Sequence, residues 1–220
     1  QKQIRGIFTI TSVLIVLLLS AFSVSAEDMP LPDFDSSDII LSKLGFVLEY
    51  NETYEQASWV AYELTEEETY GDVERTDNYH PDYQVPTGSA ELSDYRRSGY
   101  DRGHLAPAAD LSWSRKAMES SFALSNMSPQ KAAFNRGIWR ELETLIRAWA
   151  EDNTSLYIVT GPVFEKGTIE KIGENRVGVP KYYYKAVLDY TKPELKGIAF
   201  LLHHQGSNRS LSSFAVPINK

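Results

Sequence analysis

Ile138, Leu142, Leu145, Ile146 and Trp149 recur at helical spacing, and this one apolar stripe decides what the rest of the chain must supply. It predicts an amphipathic helix over residues 135–150, closed by Asp152-Asn153. A helix with a single apolar face needs a second layer to bury it. The surrounding sequence offers strands. Residues 46–51 and 57–65 are rich in Val, Trp, Tyr and Leu, the second run in alternation. Residues 156–161 form a fully apolar run of strand length that stops at Gly161-Pro162. Residues 182–190 and 198–203 flank Thr191-Lys-Pro-Glu-Leu-Lys-Gly197, the pattern of a hairpin. Residues 122–126 read as a short strand broken by Pro129, and residues 114–121 as a short helix capped by Ser114. The acidic run Glu66 to Glu68 reads as a solvated turn. The expected fold class is α+β, a central, mostly antiparallel sheet flanked by helices. At 42% hydrophobic and 12% aromatic, the chain can bury a sizeable core in one domain.

The N-terminus reads as an address. Lys2 and Arg5 precede an apolar run from Ile7 to Phe22, and Ser23-Val-Ser-Ala26 offers a small-residue cleavage site. The run falls short of the roughly 20 apolar residues that span a bilayer comfortably. Residues 1–26 are therefore expected to be a secretory signal peptide, residues 27–45 a Pro- and Asp-rich surface lead-in, and residues 46–220 the functional domain. The protein is expected to be exported, periplasmic or secreted, with no stable membrane span after cleavage and a membrane anchor if the signal stays. Net charge is −8, and losing Lys2 and Arg5 with residues 1–26 takes it to −10. That balance argues against holding nucleic acid by bulk charge but leaves room for a local basic groove. There is no Cys, hence no disulfide framework, thiolate nucleophile or Cys-based zinc site.

Chemistry concentrates in Gly99-Tyr-Asp-Arg-Gly-His104-Leu-Ala-Pro-Ala-Ala-Asp110. In an extended chain Arg102 and His104 share one face, with Asp101 and Gly103 on the other. An Arg beside the His disfavours the imidazolium, and a neutral imidazole suits a general base. Arg102 would meet negative charge on a phosphate. Asp101 reads as a structural acceptor for backbone N–H groups. Asn135, at the start of the predicted helix, fits a cap as well as an oxygen ligand. Glu143 lies eight residues on, about 80° around the helix and about 12 Å along it. The two cannot grip one ion directly, but Glu143 could reach a water on an ion held by Asn135, which suits magnesium. A solvated helix charge explains Glu143 equally well. Arg75 is the only cation of the long loop over residues 73–82. Arg136 and Arg140 stand near the site as candidate phosphate contacts or ordinary surface charges. His203 and His204 are adjacent, face opposite ways and read as structural.

These blocks carry a resemblance. Ser98-Gly-Tyr-Asp-Arg-Gly-His-Leu-Ala-Pro-Ala-Ala-Asp110 resembles the signature of the DNA/RNA non-specific endonucleases, the endonuclease G-like ββα-metal (His-Me finger) nucleases. Ser125-Asn-Met-Ser-Pro-Gln130, Phe134-Asn-Arg-Gly-Ile-Trp-Arg-Glu-Leu-Glu143, residues 157–164 and residues 179–185 resemble later family blocks in the same order. The resemblance implies an endonuclease that hydrolyses phosphodiester bonds of DNA and RNA to 5′-phosphate products. His104 would be the general base, Asn135 the direct ligand of one Mg2+ (Mn2+ as a substitute), and Glu143 the holder of metal-bound water. Arg102 and Arg75 would contact the phosphate, Asn126 would shape the site and Arg136 would bind substrate or shape the site. A homodimer is compatible with the family. Two other readings are a non-catalytic nucleic-acid-binding protein on the same scaffold and a phosphodiesterase of small nucleotides. Family members continue past a strand like Ser213-Phe-Ala-Val-Pro-Ile218 with a further helical segment. This sequence ends at Lys220, an edge expected to lower stability while leaving the site blocks intact.

Overall fold

The computed structural model describes residues 30–190 and 195–218. The expected signal peptide, and the tip of the hairpin expected over residues 191–197, lie outside the described residues. The elements, in chain order, are β1 (Ile39–Lys43), β2 (Phe46–Asn51), β3 (Gln56–Thr65), α1 (Glu66–Thr69), α2 (Leu92–Tyr95) and β4 (Asp101–His104). They continue as α3 (Arg115–Ser121), β5 (Met127–Gln130), a helical turn (Phe134–Trp139) kinked at Gly137 and running into α4 (Arg140–Asp152), and β6 (Ser155–Val163). The chain closes with β7 (Lys171–Ile172), β8 (Val177–Gly178), β9 (Tyr182–Asp189), β10 (Lys196–His203) and β11 (Ala215–Val216).

Seven strands form one sheet in the order β1-β2-β3-β6-β9-β10-β11, every neighbouring pair antiparallel. The central strands carry apolar residues on both faces. In β3, Val60, Tyr62 and Leu64 point into the main core, while Trp59 and Ala61 pack on the other side with Val47 and Tyr157. Of the predicted apolar stripe, Ile138, Leu142 and Ile146 are buried in the main core with Val60, Ile158 and Val187, Trp149 packs half-buried against it, and Leu145 is half-buried. Each fully buried Leu or Ile contributes about 1.5–3 kcal/mol, so this face fixes the helix to the sheet. Asn153 ends α4 by turning extended, while its amide bonds the Trp149 carbonyl at 2.6 Å.

Three local expectations change. The lead-in over residues 27–45 contains β1, which pairs with β2 from Ile39↔Tyr50 to Lys43↔Phe46. Its Pro and Asp residues cluster before the strand and hid it. The acidic run is a one-turn helix: Thr65 Oγ1 accepts from Glu68 N and the Glu68 carboxylate accepts from Thr65 N, a reciprocal capping box. The expected strand over residues 122–126 sits further on, as β5, and it includes Pro129. β4 and β5 form a separate two-stranded ribbon, Asp101↔Gln130 to His104↔Met127. A proline costs little on an edge strand, and the Pro129 carbonyl is used by the Tyr183 hydroxyl at 2.8 Å. Ribbon and following helix together make a β-β-α unit lying against the large sheet.

Candidate active site

One cleft of about 410 Å3 opens over this unit. Strand β4 brings Asp101, Arg102 and His104 to it; the kinked turn brings Asn135 and Arg136; α4 brings Arg140, Glu143 and Arg147; the loop before α2 brings Arg75 and Tyr79. The loop is held in place by its own backbone. His80 N bonds Phe122 O at 3.2 Å and Leu124 N bonds His80 O at 2.9 Å. Along the helix, Arg136, Arg140, Glu143 and Arg147 follow 4-3-4 spacing and share the face toward the cleft. Gly137, at φ −107° and ψ −115°, breaks the helical run, so the chain kinks between Asn135 and α4. Asn135 and Glu143 nonetheless line the same cleft.

His104 ends β4 with 8% of its surface exposed. Its ring packs edge-on against Phe122 at 4.9 Å and tilted to Tyr79 at 5.9 Å. The same two rings seat the neighbouring cations: Arg75 lies 4.9 Å over Phe122 and Arg102 4.3 Å over Tyr79. Burial, then Arg75 and Arg102, lower the His104 pKa to about 3, so the imidazole is neutral. Its Nε2 is enclosed and has no hydrogen-bond partner among the described residues, which leaves Nδ1 to meet the cleft. Behind the strand there is no spare room. A Cβ on Gly103 would fall 2.1 Å from the Gln130 side chain. After His104 the chain is clamped by Asn126, which is fully buried. Its Oδ1 accepts from Ala106 N at 3.0 Å, and its Nδ2 donates to the carbonyls of Ala106 and Ser121, both at 2.9 Å.

Asp101 was expected to accept backbone N–H groups. Instead it accepts side-chain donors: Asn135 Nδ2 at 3.0 Å, and the Arg136 guanidinium through Nε at 2.8 Å and a second nitrogen at 2.7 Å. The reason is that the helix start, not another strand, faces it. Burial raises its pKa, but the bonds from Arg136 and Asn135 outweigh that and hold the carboxyl below the usual range. Because Nδ2 of Asn135 is spent on Asp101, the amide is oriented with Oδ1 left over for the cleft.

Glu143 is half-buried in the cleft wall rather than a solvated helix charge. Burial pushes its carboxyl up to about 7. Asp110 pushes the same way, while Lys185, Arg147 and Arg75 oppose it. Beneath lies a second tier. Asp110 accepts from Arg147 at 2.8 Å and from the Tyr62 hydroxyl at 2.8 Å. Among the described residues no three His, Asp or Glu side chains converge as a metal cage. The donor set instead offers one oriented amide oxygen and a nearby carboxylate. Hard oxygen donors with room for water fit Mg2+ or Mn2+, and no soft ligand is present.

The family model for DNA/RNA non-specific endonucleases matches residues 29–220. The chain belongs to that family. Bovine mitochondrial endonuclease G is 37% identical over 158 residues, covering 67% of this chain and 53% of its own length. A nuclease of Nostoc sp. is 36% identical over 203 residues, covering 90% of this chain and 71% of that protein. The chain thus spans about half the length of the endonuclease G it matches. A solved structure of an EndoG/EndoGI complex, concerned with the mechanism of EndoG inhibition, superposes with a TM-score of 0.78 at 32% identity, covering 84% of this chain and 82% of that one. The fold is accordingly that of the ββα-metal nucleases.

In this member of the family, His104, Arg102, Arg75, Asn135, Arg136 and Glu143 all line the one cleft, and Asn126 lies behind it. Trp139 is buried, and His203 and His204 are outside the cleft. His204 holds the helix entry, its Nε2 accepting from Lys131 N at 2.7 Å. Sequence reasoning missed Tyr79, Asp110, Arg147 and Lys185. The 4-3-4 polar spacing that ends at Arg147 was a usable signal, as was a Lys at a core-facing position of an alternating strand. Tyr79 carried none.

Proposed function

We propose that this chain is a divalent-metal-dependent endonuclease that hydrolyses phosphodiester bonds of DNA and RNA with little sequence preference, leaving 5′-phosphate ends. The observation that supports it best is the convergence, in one cleft, of a neutral enclosed histidine, an amide oriented by a carboxylate, and flanking arginines. His104 takes a proton from the attacking water at Nδ1. Arg75 and Arg102 meet the phosphate oxygens. A phosphate bound there offsets their charge and raises the basicity of His104, so the base strengthens when substrate arrives. Asn135 Oδ1 would hold one Mg2+ ion, and Glu143 would accept hydrogen bonds from its hydration shell. When bound, the ion supplies Lewis-acid stabilisation of the developing phosphate and leaving-group charge. Arg136 and Arg140 extend the positive face along the helix for the nucleic-acid backbone.

Water as nucleophile makes the 2′-OH dispensable, which fits action on both DNA and RNA. Among the described residues no helix is long and apolar enough to cross a membrane, and the basic-apolar-small pattern of residues 1–26 supports export. The test is cleavage of plasmid DNA and of a single-stranded RNA in EDTA, Mg2+ and Mn2+, with end-labelling of the products. Metal-dependent cutting of both with phosphate on the 5′ ends is expected. Cutting in EDTA, or 3′-phosphate ends, would contradict it.

A further inference from the structure

Lys185 is a charged side chain in the apolar core that the proposed hydrolysis leaves without a task. It stands on β9 between the buried residues Tyr183 and Val187, on the core-facing phase of the strand, and is 0% exposed. A buried ammonium is costly unless it is paired and hydrogen-bonded, and a Met would fill similar space without that cost. What surrounds it accounts for its presence. Its Nζ donates to the Leu105 carbonyl at 3.2 Å, one residue past His104. It lies 4.9 Å from the Trp139 ring and 5.9 Å from that of Tyr62. Trp139 is one helical turn before Glu143, and Tyr62 donates to Asp110. Glu143 and then Asp110 are the charges that favour the ammonium, and Lys185 is the chief positive charge acting on Glu143. One side chain rising from the large sheet thus meets both arms of the β-β-α unit: the end of β4 and the helix that carries Asn135 and Glu143.

The geometry points to Lys185 as a positioning residue that, from beneath the cleft, ties the backbone carbonyl after His104 to the charge of Glu143 and so sets base and carboxylate in register. This inference rests on the phosphodiesterase reading of the cleft. Without the ammonium, Glu143 faces Asp110 with its main counter-charge gone and the Leu105 carbonyl loses its donor. The carboxylate then turns away from Asp110 toward solvent and stops serving the site.

The experiment is a four-protein cycle of parent, Lys185→Met, Glu143→Gln and the double variant, each followed by kcat and KM on an oligonucleotide with Mg2+ and by thermal melting without metal. Lys185→Met is expected to lower kcat about 10–100-fold, the usual loss for a partner behind a metal site, with KM little changed. In the Glu143→Gln background the same substitution should cost almost nothing further in kcat. In melting, Lys185→Met should fall below the parent and the double variant should recover part of the loss, because the uncompensated carboxylate is gone. If Lys185→Met alone fails to fold while the double variant folds, the coupling to Glu143 is supported. Parental kcat in Lys185→Met, equal penalties in both backgrounds, or failure of both Lys185 variants to fold would overturn the inference. If the parent does not cut, the phosphodiesterase reading fails, while the melting cycle still reports whether the two side chains are coupled.

Discussion

Removing the Asp101 carboxylate should cost this protein metal affinity as well as stability. Asp101→Ala deletes the acceptor for Asn135 Nδ2 and for the Arg136 fork. Arg136 is mostly in solvent, with 71% of its side chain exposed, so its pair with Asp101 adds little. The Asn135 bond goes to a charged acceptor that is itself 20% exposed, which places the loss near the lower end for such bonds, about 1.5 kcal/mol. For a domain of this size that lowers the melting temperature by roughly 3–6 °C. The second effect is on orientation. Once Nδ2 has no partner, the amide of Asn135 turns freely, and a turned amide presents N–H donors where a cation needs an oxygen. Losing such an orienting partner costs about 10–100-fold in metal affinity or activity. The assay is the initial rate of plasmid cutting across a wide Mg2+ titration. The half-saturating Mg2+ concentration should rise by that factor, and most of the rate should return at high Mg2+. Arg136→Ala, which leaves the Asn135 bond intact, should keep the parental Mg2+ midpoint. An unchanged midpoint in Asp101→Ala would refute the orienting role.

Asn126→Ala strands Ala106 N and the carbonyls of Ala106 and Ser121, all buried, and should cost about 3 kcal/mol or more by urea denaturation, with loss of activity because the segment after His104 is freed. Lys43→Met leaves Asp82 without its ion-pair partner at 2.6 Å, in a site where the carboxylate is 3% exposed, and should destabilise by about 3 kcal/mol without touching the cleft. Burial raises the Asp82 pKa, but the bonds from Lys43 and Ser125 outweigh it and hold it below the usual range. Its contribution is therefore present above the unfolded carboxylate pKa and fades as pH falls through the folded value. His104 acts in the same direction: its folded pKa is about 3 and its unfolded one about 6.5. Between these the unfolded chain binds the extra proton, so stability should fall with acidification by about 1.4 kcal/mol per pH unit, and His104→Ala should remove that slope.

The large elements were legible because their signals were long. Five apolar residues at helical spacing mark the run that becomes the kinked turn and α4, the alternation in residues 57–65 marks a central strand, and the hairpin pattern marks the strand over residues 182–190. Short elements were hidden by their own composition. β1 follows a Pro- and Asp-rich segment, and β5 contains a proline that only an edge position tolerates. Within the site, strand alternation put Arg102 and His104 on one face and Asp101 on the other, yet all three line the cleft. Alternation could not say what Asp101 faces, because its partners come from a helix more than thirty residues away. Nor could helical geometry place Asn135 beside Glu143. A regular helix was assumed from residue 135, whereas the kink at Gly137 within Phe134–Trp139 changes the angle between them. Lys185, Asp110 and Arg147 escaped notice for a different reason. Local patterns could single out Arg147 and Lys185, but what they meet is set by how the helix lies on the sheet: Arg147 pairs with Asp110, and Lys185 bonds the Leu105 carbonyl.

The central claim is that a neutral, enclosed His104 is the base of a metal-assisted phosphodiesterase. It is tested most directly by plasmid cleavage in Mg2+ by the parent and by His104→Ala, with the melting curve of each recorded alongside. The account predicts a rate loss of about 10²–10⁴-fold in the variant, the range for removing a general base, with a cooperative melt retained. Parental cleavage by a folded His104→Ala would contradict it.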